Sequence, residues 1–273
     1  AILPNRAHDC LSHEGIAKEV ALLSGCDFVP EKMRPYQTKG ALSLEVSIED
    51  SLCRRYIGRR VENIEVGPSP EWLSKVLESI GQKSINNVVD AANYVVFAIG
   101  QPLHVFDLDK LSETKITVRK AQKGEKIVTL DENELFLSED DLVIADSGDA
   151  LAIAGIKGGK KAEVDGNTRN LILESANFDP VSIRKTSRHL NLHTESSIRF
   201  ENEITTELAG RAMEELTGLI VEVAGISDTK VGEEVTDIYP RKPNQYKIGL
   251  GLGDSSRLLG LDLSENDIKN ALD

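Results

Sequence analysis

The chain is 273 residues long, 40% hydrophobic and 28% charged, an ordinary soluble, globular composition with room for one large domain or two modest ones. Its formal net charge of −13 opposes indiscriminate coating of nucleic acid, while leaving open a specific RNA contact through a local basic patch. No apolar run approaches the roughly 18 residues of a membrane span, and the opening AILPNRAHD lacks the basic and apolar regions of a secretory leader. Cys10, Cys26 and Cys53 are odd in number and form no CxxC pair, as expected of free thiols in a reducing compartment; the expected location is the cytoplasm.

In chain order, Leu11–Ser24 reads as a helix with Ile16, Val20 and Leu23 on one stripe and Gly25 as its stop. Residues 38–66 are mostly strand-like, with ALSLEV alternating. A second helix is expected from a Ser69 cap and Pro70, with Leu73, Val76, Leu77 and Ile80 buried and Gly81 ending it. A third helix covers 87–99 and closes at Gly100 and Pro102. The runs ITVRK, KIVTL, LFLS, LVIAD and NLILESANF then read as short strands between turns. Asp179 and Pro180 begin a helix through Leu190, and Glu207–Ala224 forms a longer one with Leu208, Ala212, Leu216, Ile220 and Val223 inward. Residues 226–244 read as a strand and a linker containing Pro240 and Pro243, before a small unit from Tyr246. The expected class is α+β, a mainly antiparallel sheet flanked by helices. The chain starts without methionine, and its last helix, from Ser264 with Ile268 and Leu272 four apart, stops in mid-pattern; the sequence reads as a fragment of a longer protein.

Signatures for a nucleophile elbow, a Walker loop, a zincin or an EF-hand are absent from the sequence. Gly155, Gly158 and Gly159 in AGIKGGKK follow a strand without matching GxGxxG, and read as a tight turn unless a neighbouring site needs close backbone approach. In NLILESANF, alternation puts Ile172, Glu174 and Ala176 on one face and Leu171, Leu173 and Ser175 on the other. Such a strand is covered on both sides, so Glu174 is expected either to pair with an arginine or to line a pocket. His104 in GQPLHVFDLDK reads either as a packed structural histidine or as a functional one. Thr194 and Ser196 offer hydroxyls to cap a helix or to face a ligand. Two basic clusters, Lys157, Lys160 and Lys161, and Arg184, Lys185, Arg188 and Arg199, are solvated faces or nucleic-acid contacts.

Five ordered segments carry a resemblance: NRAHDCLSHEGIAKEVALLSG, INNVVDAANYVVFAIGQPLHVFDLDKL, AIAGIKGG, LILESANFDPVSIRKTSRHLNLHTESSIRFE and RLLGLDLS. Together they resemble the β subunits of bacterial phenylalanyl-tRNA synthetases, over essentially the whole chain. The resemblance implies a central portion of such a subunit. Residues 1–40 would follow the inserted OB-fold, 41–228 form the B3/B4-like editing domain, 229–245 a linker, and 246–273 the truncated start of the next, B5-like domain, with partial flanking domains at both ends. In that family this domain hydrolyses tyrosine wrongly attached to phenylalanine tRNA.

Carried over by motif, His104, Glu174 and Thr194 would serve catalysis, and Lys83, Asn93, Gly155, Gly158 and Ser196 would bind substrate. Arg184, Lys185, Arg188 and Arg199 would meet the tRNA. Ala92 stands where threonine is common, Lys83 where arginine is frequent, Ser196 where alanine is common and Lys157 where methionine is frequent. The resemblance also implies the α subunit as partner in an α2β2 heterotetramer, the acceptor end of tRNA(Phe), and tyrosine as editing ligand. No cofactor is expected in this portion, ATP and Mg2+ serving the whole synthetase elsewhere.

The chemistry is intelligible. A synthetic pocket shaped for an apolar ring discriminates against one added hydroxyl only on the order of 10²-fold. An ionised Glu174 would accept the phenolic proton of tyrosine, and phenylalanine would leave it unpaired. The aminoacyl ester is activated, so a positioned water suffices, oriented or deprotonated by His104 or assisted by the vicinal ribose hydroxyl. The segment HLNLHTESSIRFEN (189–202) would form one pocket wall. The competing expectation is a non-catalytic tRNA-binding and assembly scaffold.

Overall fold

The computed structural model describes residues 4–244 and 246–272. A short 3-10 turn leads into α1 (Ala7–Cys10) and α2 (His13–Ser24), then strands β1 (Glu45–Ile48) and β2 (Cys53–Ile64) and helices α3 (Glu71–Ser79) and α4 (Asn87–Ile99). The β-rich part follows with β3 (Leu103–Asp107), β4 (Lys115–Lys120), β5 (Lys126–Val128), β6 (Glu134–Phe136), β7 (Leu142–Ala145), β8 (Ala150–Ile153), β9 (Lys157–Gly158) and β10 (Asn170–Phe178). Then come α5 (Pro180–His189), α6 (Glu195–Glu201), α7 (Leu208–Ala224), β11 (Gly225–Val231), β12 (Thr236–Ile238), α8 (Leu252–Leu259) and α9 (Glu265–Leu272). The class is α+β, as expected.

Local chemistry sets the helix ends. The Ser12 hydroxyl accepts the Gly15 N–H at 3.0 Å, and Gly25 closes α2 at φ +67°. The Asn86 side-chain Oδ1 accepts from the amides of Val88 and Val89 to open α4, and the Asp179 carboxylate accepts from those of Val181 and Ser182 to open α5. The expected Ser69 cap is corrected. Pro70 occupies the cap position of α3 without a side-chain bond, and Ser69, one residue too early, donates to the buried Asp90 carboxylate. Leu73 and Leu77 are buried as expected, but Val76 faces outward.

Two five-stranded sheets carry the large unit. One runs β1-β4-β7-β8-β9 and is antiparallel except for the parallel β1–β4 pair. The other runs β11-β2-β10-β3, with β12 also on β2, and is antiparallel throughout. Strand β10 lies at its centre and separates two cores. Ile172, Ala176 and Phe178 pack, with Tyr56 and Phe106, against Ile144, Leu151 and Ile153 of the other sheet. Leu171 and Leu173 pack, with Ile57 and Val105, against Val88 and Val95 of α4 and Leu216 and Ile220 of α7. The alternation in NLILESANF thus divides a sheet–sheet layer from a sheet–helix layer, and Glu174 points into the former.

The chain divides between Pro240 and Arg241 into two compact units. Residues 230–231 and 236–238, inside the stretch expected as a linker, pair with β2 at the end of β11 and through β12. The smaller unit holds α8 and α9, joined at Gly260 (φ +68°), with the Ser264 hydroxyl accepting from Asp267 N–H at 3.2 Å. No helix among the described residues is long and apolar enough to cross a membrane. Cys10, Cys26 and Cys53 are free.

Candidate functional site

On the two antiparallel ladders of β10, Glu174 pairs with Gly58 of β2 on one side and His104 of β3 on the other. Directly opposed residues present their side chains to the same face, so acid and imidazole enter the inter-sheet layer together. A Cβ at Gly58 would lie 2.5 Å from Leu44 Cδ2, so an apolar side chain packs where any other residue at 58 would stand. Glu174 is 5% exposed and makes no ion pair among the described residues; the arginine reading fails, and the pocket-lining one holds.

Burial in this apolar layer pushes the Glu174 carboxyl up to about 8, the nearby Tyr56 hydroxyl pulling in the opposite direction. At neutral pH the group is therefore mostly a carboxylic acid, a donor as well as an acceptor.

His104 keeps partial exposure as a residue, but its ring sits deep, edge-on to Phe106 with centroids 4.5 Å apart. Burial pushes the imidazole down to about 4, so it is neutral at pH 7. Gly158 explains itself here. A Cβ there would stand 2.5 Å from His104 Cε1 and 2.9 Å from Nε2, so only glycine lets the backbone pass against the ring. Gly155 turns the chain at φ +67°, and a Cβ would lie 2.8 Å from both Ile183 and Phe178 and 2.9 Å from Phe200.

The site has two compartments. An inner one of about 50 Å³ is lined by Glu174, His104, Gly155, Gly158, Ser196 and Phe200, among others. An outer cleft of about 410 Å³ shares Leu103, His104, Ile156, Lys157, Gly158 and Ser196 with it and adds Asn93, Ala92 and Leu130. Since one water needs roughly 10–15 Å³ of such space, the inner compartment suits one end of a ligand and the cleft its bulk.

Thr194 lines neither compartment. Its Oγ1 donates to Ile156 O at 2.9 Å and accepts the Ser197 N–H at 3.1 Å, while Ser197 Oγ accepts the Thr194 N–H at 2.9 Å. That reciprocal cap starts α6 and ties it to the β8–β9 turn, which brings Ser196 to the cavity wall. Lys83 is exposed and lines neither compartment.

The basic clusters divide. Lys157 contacts Asp131 at 2.6 Å, Lys160 contacts Glu163 at 2.8 Å and Lys161 contacts Asp146 at 2.7 Å, so this run is neutralised by carboxylates. Arg184, Lys185 and Arg188 lie on the exposed face of α5. Arg199 is corrected as a surface contact: it is 3% exposed and donates to Glu195 Oε2 at 2.7 Å and to Leu11 O at 2.9 Å, with its guanidinium 5.1 Å from the Phe97 ring centre. Tyr56, which sequence reasoning missed, is fully buried beside Glu174; its spacing of two from Gly58 in YIG was the available signal. Among the described residues no group of three His, Cys, Asp or Glu side chains is arranged to hold a metal.

Comparison with known proteins bears on this arrangement. Residues 52–225 match the B3/4 domain. Over 274 aligned residues the chain is 42% identical to the phenylalanine–tRNA ligase β subunit of Geobacter metallireducens, covering 98% of this chain and 33% of that one. It is 41% identical to the Carboxydothermus hydrogenoformans β subunit over 273 residues, covering 100% and 34%. The chain therefore spans about a third of the length of these curated relatives. A crystal structure of an N-terminal fragment of the phenylalanyl-tRNA synthetase β subunit from Pyrococcus horikoshii aligns with a TM-score of 0.45 at 17% identity, covering 98% of this chain and 73% of that one. With residues 52–225 matched, the chain belongs to the B3/4 domain family.

Proposed function

We propose that this chain is the editing portion of a phenylalanine–tRNA ligase β subunit and hydrolyses the ester of tyrosine mischarged onto tRNA(Phe). The observation that carries the reading is a buried carboxyl with no ionic partner among the described residues, at the wall of a small compartment that continues into a larger cleft. The phenolic end of tyrosine enters the inner compartment and exchanges hydrogen bonds with the Glu174 acid. Phenylalanine leaves that group unpaired, at about 1–3 kcal/mol, so the wrong amino acid is the one retained.

The aminoacyl ester and the terminal nucleoside occupy the outer cleft, near Asn93, Ser196 and Lys157. His104, neutral and weakly basic, orients the attacking water through a hydrogen bond rather than removing its proton, and the vicinal ribose hydroxyl supplies further polarisation. Thr194 serves by fixing the wall, and the exposed cations Arg184, Lys185 and Arg188 attract acceptor-stem phosphates.

In this reading residues 41–228 form the editing domain, and 246–273 begin the next domain of the subunit. The α subunit, ATP and Mg2+ belong to the aminoacylating assembly, in the cytoplasm. Incubating the chain with tyrosyl-tRNA(Phe) tests the proposal. Deacylation in the wild type, lost in Glu174→Ala, supports it; binding without turnover supports the scaffold alternative instead.

A further inference from the structure

Two buried polar atoms beside the cavity have no hydrogen-bond partner among the described residues: Tyr56 Oη and Glu174 Oε2. Buried polar atoms in folded proteins are almost always paired, so two neighbouring orphans call for an explanation. Tyr56 is fully buried on β2, opposite Ala176 and two residues from the Gly58–Glu174 pair, so both side chains enter the same layer. Diagonal neighbours of this kind are within reach of long side chains. Oε1 of Glu174 makes no hydrogen bond to the protein either, but unlike Oε2 it is not sealed from the cavity. The two oxygens of one carboxyl thus face different surroundings.

We infer that Tyr56 is a positioning residue for Glu174: its hydroxyl serves as the partner of Oε2, fixing the carboxyl plane so that Oε1 meets a phenolic ligand. The phenolic half of this statement rests on the proofreading reading above. The titratable groups around Glu174 are Cys53 and Tyr56 from β2, His104 from β3 and, at the cavity wall, Lys157 from β9. Burial holds Cys53 and Tyr56 protonated, and the Glu174 charge adds to that push. The Tyr56 hydroxyl in turn favours the ionised form of Glu174.

The test uses the full chain with 13C-carboxyl glutamate. Tyr56→Phe should raise the Glu174 titration midpoint by roughly half to one pH unit. By calorimetry, its preference for free L-tyrosine over L-phenylalanine should fall roughly 3- to 10-fold. An unchanged midpoint overturns the inference. A shifted midpoint in a chain whose wild type shows no preference for tyrosine keeps the contact and overturns its phenolic role, together with the proofreading reading. Should Tyr56→Phe not fold, 13Cζ-tyrosine in the otherwise unaltered chain decides. The Tyr56 resonance must titrate with the Glu174 midpoint and go flat in Glu174→Gln; a resonance indifferent to Glu174 overturns the proposal.

Discussion

Glu174 and His104 stand directly opposite each other across β10 and β3, and the same burial neutralises both. Acid and imidazole are displaced in opposite directions, to about 8 and about 4, so at neutral pH this pair is uncharged inside a chain of net charge −13. Neither forms an ion pair with the other among the described residues. A pair of titratable groups separated in this way provides a hydrogen-bond donor and an acceptor at one pH.

Stability should record this separation. The native Glu174 binds a proton that the unfolded chain releases near 4.5, so its contribution to stability falls as pH rises from about 4.5 to about 8. His104 has the reverse sign: the unfolded chain binds a proton near 6.5 and the native chain only near 4, so stability falls as pH drops through that window. Glu174→Gln should therefore gain on wild type between about pH 5 and pH 8, by an amount on the order of 3–5 kcal/mol. Urea unfolding at both pH values measures it, and a difference independent of pH contradicts it.

Gly158→Ala should displace the His104 ring, since the new Cβ would stand 2.5 Å from Cε1. The expected cost is about 1–3 kcal/mol of stability, with loss of ester hydrolysis out of proportion to it. Comparing melting with deacylation checks this.

Two arginines assigned together by sequence should behave differently. Arg199→Ala removes buried hydrogen bonds linking α6 to Leu11 O and should cost about 2–4 kcal/mol, discounted because Glu195 is half exposed. Arg188→Ala should change stability by less than about 0.5 kcal/mol while lowering the salt slope of tRNA binding by about 1. Denaturation and binding across a salt series separate the two.

Thr194→Ala should cost about 1 kcal/mol through the lost α6 cap, and Thr194→Ser should restore most of it. Thermal melting gives the cost. Hydrolysis should fall with it, because the Ser197 N–H, next to Ser196, and the Ile156 carbonyl are held by the same hydroxyl.

Much of the fold was legible because it is written in local chemistry. Asn87–Ile99 and Pro180–His189 follow from caps and stops, and the double covering of β10 follows from alternation. Strands β3, β8 and β9 were not legible, being two to five residues long and formed by pairing, and helix α6 was signalled only by Thr194 as a candidate cap. At the site, Glu174 stood out as a carboxyl on an apolar face. Its protonation, the burial of Arg199 and the presence of Tyr56 depend on which strands lie side by side, and that is long-range information.

The most direct measurement is a crystal structure of the chain with bound L-tyrosine. The account predicts the phenolic oxygen in the inner compartment, about 2.5–3.0 Å from a Glu174 carboxyl oxygen, with the α-carboxyl group toward Asn93 in the outer cleft. Tyrosine bound with its hydroxyl away from Glu174, or bound only outside this cavity at saturating concentration, would contradict it.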